Sequence, residues 1–255
     1  MSVIVHPTRS PATPAQRPVV DWEAFRNERV DSSSVRVVRT TCLLESRSSA
    51  YGDYLQRALP DRFASDVTRW ADEEHRHGRA LRRWLKLADP TFDFDDAFER
   101  FSQLPYHDGD LLPSRGGAAE ELLARCVVEA FASGYYDALG DYTHEPLLKQ
   151  ICSRLKADER RHLDLFALML SGEQPLLPRR TQLRVVARRV LELTDDQIVF
   201  AAHCANGTGH YNRRAVRRVH FSQMLAMHRP RHLGYISNLI AGVVNARPPS
   251  WSEPA

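Results

Sequence analysis

The chain has 255 residues, a net charge of +3, and 43% hydrophobic against 26% charged residues, values that suit one globular core with an appendage and exclude a low-complexity chain. No run of about 18 apolar residues occurs, so no membrane-spanning helix is expected. Cys42, Cys126, Cys152 and Cys204 form no C-x-x-C pair, which excludes a zinc ribbon or rubredoxin-like iron site and predicts reduced core thiols in a cytoplasmic protein.

Residues 1–30 begin with Pro7, Pro11, Pro14 and Pro18 and no long apolar block. They read as a flexible arm and not as a secretory signal. Residues 31–175 carry four long segments of helical periodicity. The first is predicted over Ser34–Leu59 and stops at Pro60, and the second over Asp61–Leu87, before Pro90. A linker follows, with a short helix near Asp95–Leu104. The third is predicted over Ala118–Tyr142. The fourth starts at Pro146, a favourable first-turn residue, and ends at Gly172. Four helices of roughly 25 residues with one longer crossover describe a helical bundle. Residues 176–246 are predicted to add one or two helices, one from about Thr181 and another capped by Asp195, with a break at Asn206–Gly207 and Gly209. Arg179–His232 holds eleven arginines against Glu192, Asp195 and Asp196, a basic surface suited to an acidic partner. Residues 247–255 read as a disordered tail, and no strand is predicted.

Two motifs carry the chemistry. Trp70–Gly78 reads WADEEHRHG and Ala157–His162 reads ADERRH. Each contains Glu-x-x-His, and residues three apart share a helix face, so Glu74 with His77 and Glu159 with His162 can each address one metal. Glu73 and Asp158 stand just before the motif glutamates and are expected to orient the histidines. The first and third helices each place one glutamate among small or apolar neighbours: Glu45 near Val38, Cys42, Ser48, Ser49 and Gly52, and Glu129 near Leu122, Cys126, Ala132, Ser133 and Tyr136. Arg125 on the same face speaks against the pattern. Four buried carboxylates repel one another, and two divalent cations would cancel their charge. Oxygen with imidazole nitrogen suits iron or manganese, whereas structural zinc usually takes cysteine. Either motif alone is more often a solvated helix face. Two copies, with a glutamate on each remaining helix, match the ligand pattern of ferritin-like dinuclear carboxylate bundles. The expected fold is therefore all-α: a ferritin-like four-helix bundle with additional C-terminal helices.

At Trp70–Leu81 (WADEEHRHGRAL) and Gln150–His162 (QICSRLKADERRH) the chain resembles the soluble acyl-carrier-protein desaturases of the ferritin-like di-iron superfamily. The resemblance spans about 39–170. It implies that Glu45, Glu74, His77, Glu129, Glu159 and His162 hold two Fe ions, with Glu74 and Glu159 bridging, and that O2 is a co-substrate; an Fe/Mn pair is the alternative. It also directs attention to Trp70 as an electron relay or core residue. Where those desaturases carry a threonine three residues after the third-helix glutamate, this chain has Ala132, with Ser133 next, so oxidation other than stearoyl-type desaturation is open. Leu81 stands where the ribonucleotide reductase small subunit has its radical tyrosine, and Leu155 where arylamine N-oxygenases add a histidine.

The implied activity is O2-dependent oxidation of an unactivated C–H bond in an acyl or other carrier-bound substrate. Without a flavin or nicotinamide fingerprint, electrons are expected from a ferredoxin-like donor. The basic C-terminal region suits an acidic acyl or peptidyl carrier protein. Nucleic acid is not expected, since aromatics are sparse there, and a homodimer is compatible. The alternatives are a ferroxidase or iron-handling protein, and a hydroxylase of tRNA or of a natural-product intermediate. His203, His210, His220, His228 and His232 lack ligand spacing and read as structural or surface residues.

Overall fold

The computed structural model describes residues 19–103, 116–173, 177–191, 196–207 and 209–245. Among these residues every regular element is a helix, and there is no strand. The helices are α1 (Ser32–Ser46), α2 (Ser48–Ala58), α3 (Ala64–Ala88), α4 (Phe94–Ser102), α5 (Ala118–Tyr142), α6 (Pro146–Ser171), α7 (Arg179–Leu191), α8 (Asp196–Asn206), α9 (Arg213–Met227) and α10 (Pro230–Asn245). None is long and apolar enough to cross a membrane. The calls on residues 1–18 and on the tail from 247 lie outside the described residues.

Local chemistry sets the helix ends. Asp31 caps α1 by accepting from Ser34 N at 2.8 Å, and Asp93 and Asn212 cap α4 and α9 in the same way. At α6, Pro146 fills the first turn, while the buried carboxylate of Glu145 accepts from Leu147 N, Leu148 N, Arg26 N and Trp84 Nε1. That one side chain caps a helix, satisfies a core indole and pins the chain before α1. Residues 19–30, read above as part of the arm, form two short 3-10 turns, Trp22–Ala24 and Asn27–Arg29, and Trp22 packs on the core beneath the Arg83 guanidinium.

The first predicted helix is divided. Ser46 Oγ donates back to the Cys42 carbonyl at 2.7 Å, Arg47 N turns to Leu44 O, and Arg47 leaves helical geometry, so α1 ends at Ser46 and α2 restarts at Ser48. Serine hydroxyls bonded to the preceding turn bend helices. Glu45 therefore sits at a joint and not at mid-helix. The C-terminal region forms four helices instead of one or two, because apolar contacts with α1, α4 and α5 compensate for its arginine-rich, weakly periodic sequence.

Two apolar layers organise the core. One gathers Val38 and Cys42 of α1, Leu81 and Trp84 of α3, Tyr136 and Leu139 of α5, and Leu148 and Ile151 of α6. The other gathers Leu55 of α2, Val67 and Trp70 of α3, Leu122 and Cys126 of α5, and Leu163 and Phe166 of α6. Along the chain, α1–α2 and α6 pass from the first layer to the second, and α3 and α5 pass from the second to the first. Glu45, Glu74, Glu129 and Glu159 each fall between the layers. All four cysteines are free and buried, and burial pushes the Cys42 thiol up to about 12.

Candidate metal centre

Where the two layers leave a gap, the four carboxylates and two imidazoles meet. Ligand-capable atoms of Glu45, Glu74, His77 and Glu159 lie within 4.8 Å of one another, and so do those of Glu74, Glu129, Glu159 and His162. Glu74 and Glu159 belong to both groups, so the two sets share their central carboxylates.

The motif helices α3 and α6 face each other symmetrically. His77 Nδ1 stands 3.1 Å from Glu74 Oε2 and 3.1 Å from Glu159 Oε1. His162 Nδ1 stands 3.1 Å from Glu74 Oε1 and 3.4 Å from Glu159 Oε2. The two rings stack with centroids 5.7 Å apart. The far nitrogens are tied crosswise: His77 Nε2 is 3.3 Å from Asp158 Oδ2 on α6, and His162 Nε2 is 3.2 Å from Glu73 Oε2 on α3. Ionised carboxylates only accept, so each Nε2 carries a proton, and only with a cation among the shared glutamates would the neutral ring turn an Nδ1 lone pair inward as a ligand. Each motif's leading acid thus orients the histidine of the opposite motif. Arg161 reaches both acids, at 2.5 Å from Asp158 Oδ1 and 3.3 Å from Glu73 Oε2.

The outer glutamates have different partners. Glu45 Oε1 accepts from the Tyr136 hydroxyl at 2.5 Å. Glu129 Oε1 accepts from Arg125 Nε at 2.5 Å, while Glu129 Oε2 is buried with no hydrogen bond among the described residues. Arg125, which counted against the pattern in the sequence, is its counter-charge: its guanidinium lies 4.6 Å from the Trp70 ring centre and 5.0 Å from that of Tyr51. Trp70 is buried edge-on to His162 and Phe166. Ser133, expected beside the site, is engaged elsewhere: its hydroxyl donates to Lys156 O at 3.2 Å and meets Tyr235 Oη at 3.0 Å. Sequence reasoning missed Tyr136 as a partner of Glu45, although seven residues from Glu129 is two helical turns on the same face. Arg161 was missed too, although its spacing from Asp158 was legible.

Electrostatics divides the carboxylates. Burial, with repulsion from Glu74 and Glu159, holds Glu45 well above the usual carboxylate range. Burial likewise holds Glu129 well above it, against the pull of Arg125. Burial acts upward on Glu74 and Glu159 as well, but charge and hydrogen bonds from the two histidines bring both below the ordinary value. Burial acts downward on the histidines and is outweighed. Asp158, Glu159 and Glu74 raise His77 well above its usual range, and Glu74, Glu159 and Glu73 do the same for His162.

The donor set fits metal. Glu74 Oε1, Glu129 Oε2 and Glu159 Oε1 are buried without a hydrogen bond among the described residues; the first and third lie close to imidazole nitrogens but outside hydrogen-bond geometry. Leaving buried carboxylate oxygens unsatisfied costs about 1–3 kcal/mol each or more. The cluster contains no cysteine sulfur, unlike most structural zinc sites. No protein family's sequence profile matches the chain, and no match was found among curated proteins or solved structures.

Proposed function

We propose that the protein is a ferritin-like, dinuclear non-haem iron oxidoreductase that uses O2 to oxidise an organic substrate. One observation carries the reading: two four-residue donor groups share Glu74 and Glu159, and each histidine is aimed by an acid from the opposite helix. α1–α2, α3, α5 and α6 would form the four-helix bundle, and Glu45, Glu74, His77, Glu129, Glu159 and His162 would hold the two metals. Two ferrous ions there would supply the electrons and open coordination that dioxygen reduction requires.

The chain's own residues do the rest. Asp158 and Glu73 fix the imidazole tautomers. Tyr136 holds a proton against Glu45 Oε1, and Arg125 orients Glu129 so that Oε2 faces the cluster. The Trp70, Leu122, Leu163 and Phe166 layer keeps water from that side. The motif resemblance to acyl-carrier-protein desaturases points to C–H oxidation, with electrons from a ferredoxin-like protein. Exposed arginines such as Arg180, Arg184, Arg214 and Arg218 on α7 and α9 favour an acidic docking partner.

Stopped-flow absorbance tests the reading. Protein loaded anaerobically with Fe(II) is mixed with O2, and two irons per chain oxidising slowly without substrate is the expected result. Rapid turnover of many irons per chain would replace the oxygenase by a ferroxidase. Failure to bind two irons would overturn the proposal.

A further inference from the structure

A cavity of about 220 Å³ opens beside the cluster, and its floor includes Glu45, Glu74 and Glu159. Three arginines line it from three separate helical elements: Arg47 at the α1–α2 joint, Arg125 on α5 and Arg189 on α7. Arg125 is buried against Glu129, whereas Arg47, which also donates to Phe101 O and stacks on the Phe101 ring, and Arg189 are half-buried and mark the mouth. Leu44, Val128, Ala132 and Ile198 also line the cavity.

We propose that this cavity is the substrate pocket and that it takes a small aliphatic carboxylic acid. The inference rests on the dinuclear reading and names its substrate class. Arginine presents a planar fork of donors that matches a carboxylate's two oxygens, which favours an anionic head at the Arg47–Arg189 mouth. The apolar walls suit a short hydrocarbon chain running inward, its carbons directed at the carboxylate floor where the metals would sit. Size limits the chain, because pockets for drug-sized ligands occupy roughly 300–1,000 Å³. A long acyl chain on a carrier does not fit this space.

The sign of the floor gives a second consequence. Four glutamates oppose an incoming anion, and two divalent cations reverse that field. Iron and acid should therefore bind cooperatively.

Isothermal titration of the full chain under argon, with and without Fe(II), tests this with hexanoate, hexanol, hexylamine, palmitate and inorganic phosphate as probes. Hexanoate is expected to bind once per chain, about tenfold or more tighter than hexanol or hexylamine, and tighter still with Fe(II) present. The R47Q/R189Q double variant should erase the preference for hexanoate over hexanol. Equal affinity for hexanoate and hexanol in the unsubstituted protein would overturn the proposal without recourse to any variant. Tighter binding of palmitate than of hexanoate would overturn it too, as would inorganic phosphate matching hexanoate. If Fe(II) loads and reacts with O2 while hexanoate shows no preference, the substrate assignment alone fails. If Fe(II) does not load, the oxidoreductase reading fails.

Discussion

At the residue scale, the site is a set of charges that are tolerable only with a counter-charge. His77 and His162 hold protons on rings that burial would otherwise strip, because Glu74 and Glu159 stand against both. Burial, with repulsion from Glu74 and Glu159, raises Glu45 and Glu129 as well, the latter against the pull of Arg125. Metal binding must displace protons from these groups. Since all four groups titrate above their ordinary values, affinity for Fe(II) or Mn(II) is expected to fall as the pH drops through those raised values and to strengthen as it rises. Titration calorimetry in buffers of different ionisation enthalpy reads the proton release directly, and a release near zero would contradict the protonated site. The crosswise acids give a second prediction. Asp158→Asn keeps the shape but weakens the hold on His77 Nε2, so metal affinity should fall about 10–100-fold. A competition assay with a chromogenic chelator measures this, with Asp164→Asn, at an exposed site, as the neutral control.

At the element scale, the joint between α1 and α2 is what brings Glu45 to the cluster, and it depends on a close approach to α3. A Cβ at Gly78 would stand 2.7 Å from Ser46 Oγ and 3.0 Å from Ser46 N. Backbone cannot yield as a flexible side chain does, so Gly78→Ala should push α1 from α3 and cost about 1–3 kcal/mol. Urea unfolding monitored by circular dichroism checks the value, and an unchanged midpoint would show that the joint is soft. The same step should weaken metal binding, because Glu45 moves with Ser46. The Gly78 that follows the first motif was visible in the sequence, but its role was not, because the atom it avoids lies on another helix.

At the scale of the whole molecule, the C-terminal helices share in building the site's surroundings. Ile236 of α10 packs into the space left by Gly134 of α5, where a Cβ would meet its side chain at 2.3 Å. Asn206 of α8 donates to Arg36 O and Thr40 Oγ1 of α1, and Arg100 of α4 reaches Cys204 O. Arg189, Gln197 and Ile198 of α7 and α8 then complete the cavity beside the cluster. Metal loading should stabilise this whole assembly. The raised histidines and glutamates stabilise the metal-free fold at low pH, and that contribution is lost as pH rises through their folded values. Cations replace the protons, so the gain in Tm on adding Fe(II) under argon should grow with pH. Differential scanning calorimetry at two pH values tests this, and a gain that shrinks with rising pH would contradict it.

The sequence by itself determined the helical class, the spans of α5 and α6, and six candidate residues that the fold brings together, because helical period and Glu-x-x-His spacing are local properties of the chain. It also placed Glu73 and Asp158 next to the histidines. Only the tertiary structure decided that each of these acids serves the histidine of the opposite helix, since that pairing exists only once α3 faces α6. The same holds for Arg125, which reads as a misplaced charge in the sequence and becomes the partner of Glu129 once Tyr51, Trp70 and Phe166 enclose it. The break at Arg47 and the four helices of the C-terminal region were hidden for a related reason. Their signals are weak locally, and long-range packing outweighs intrinsic propensity when a face can be buried.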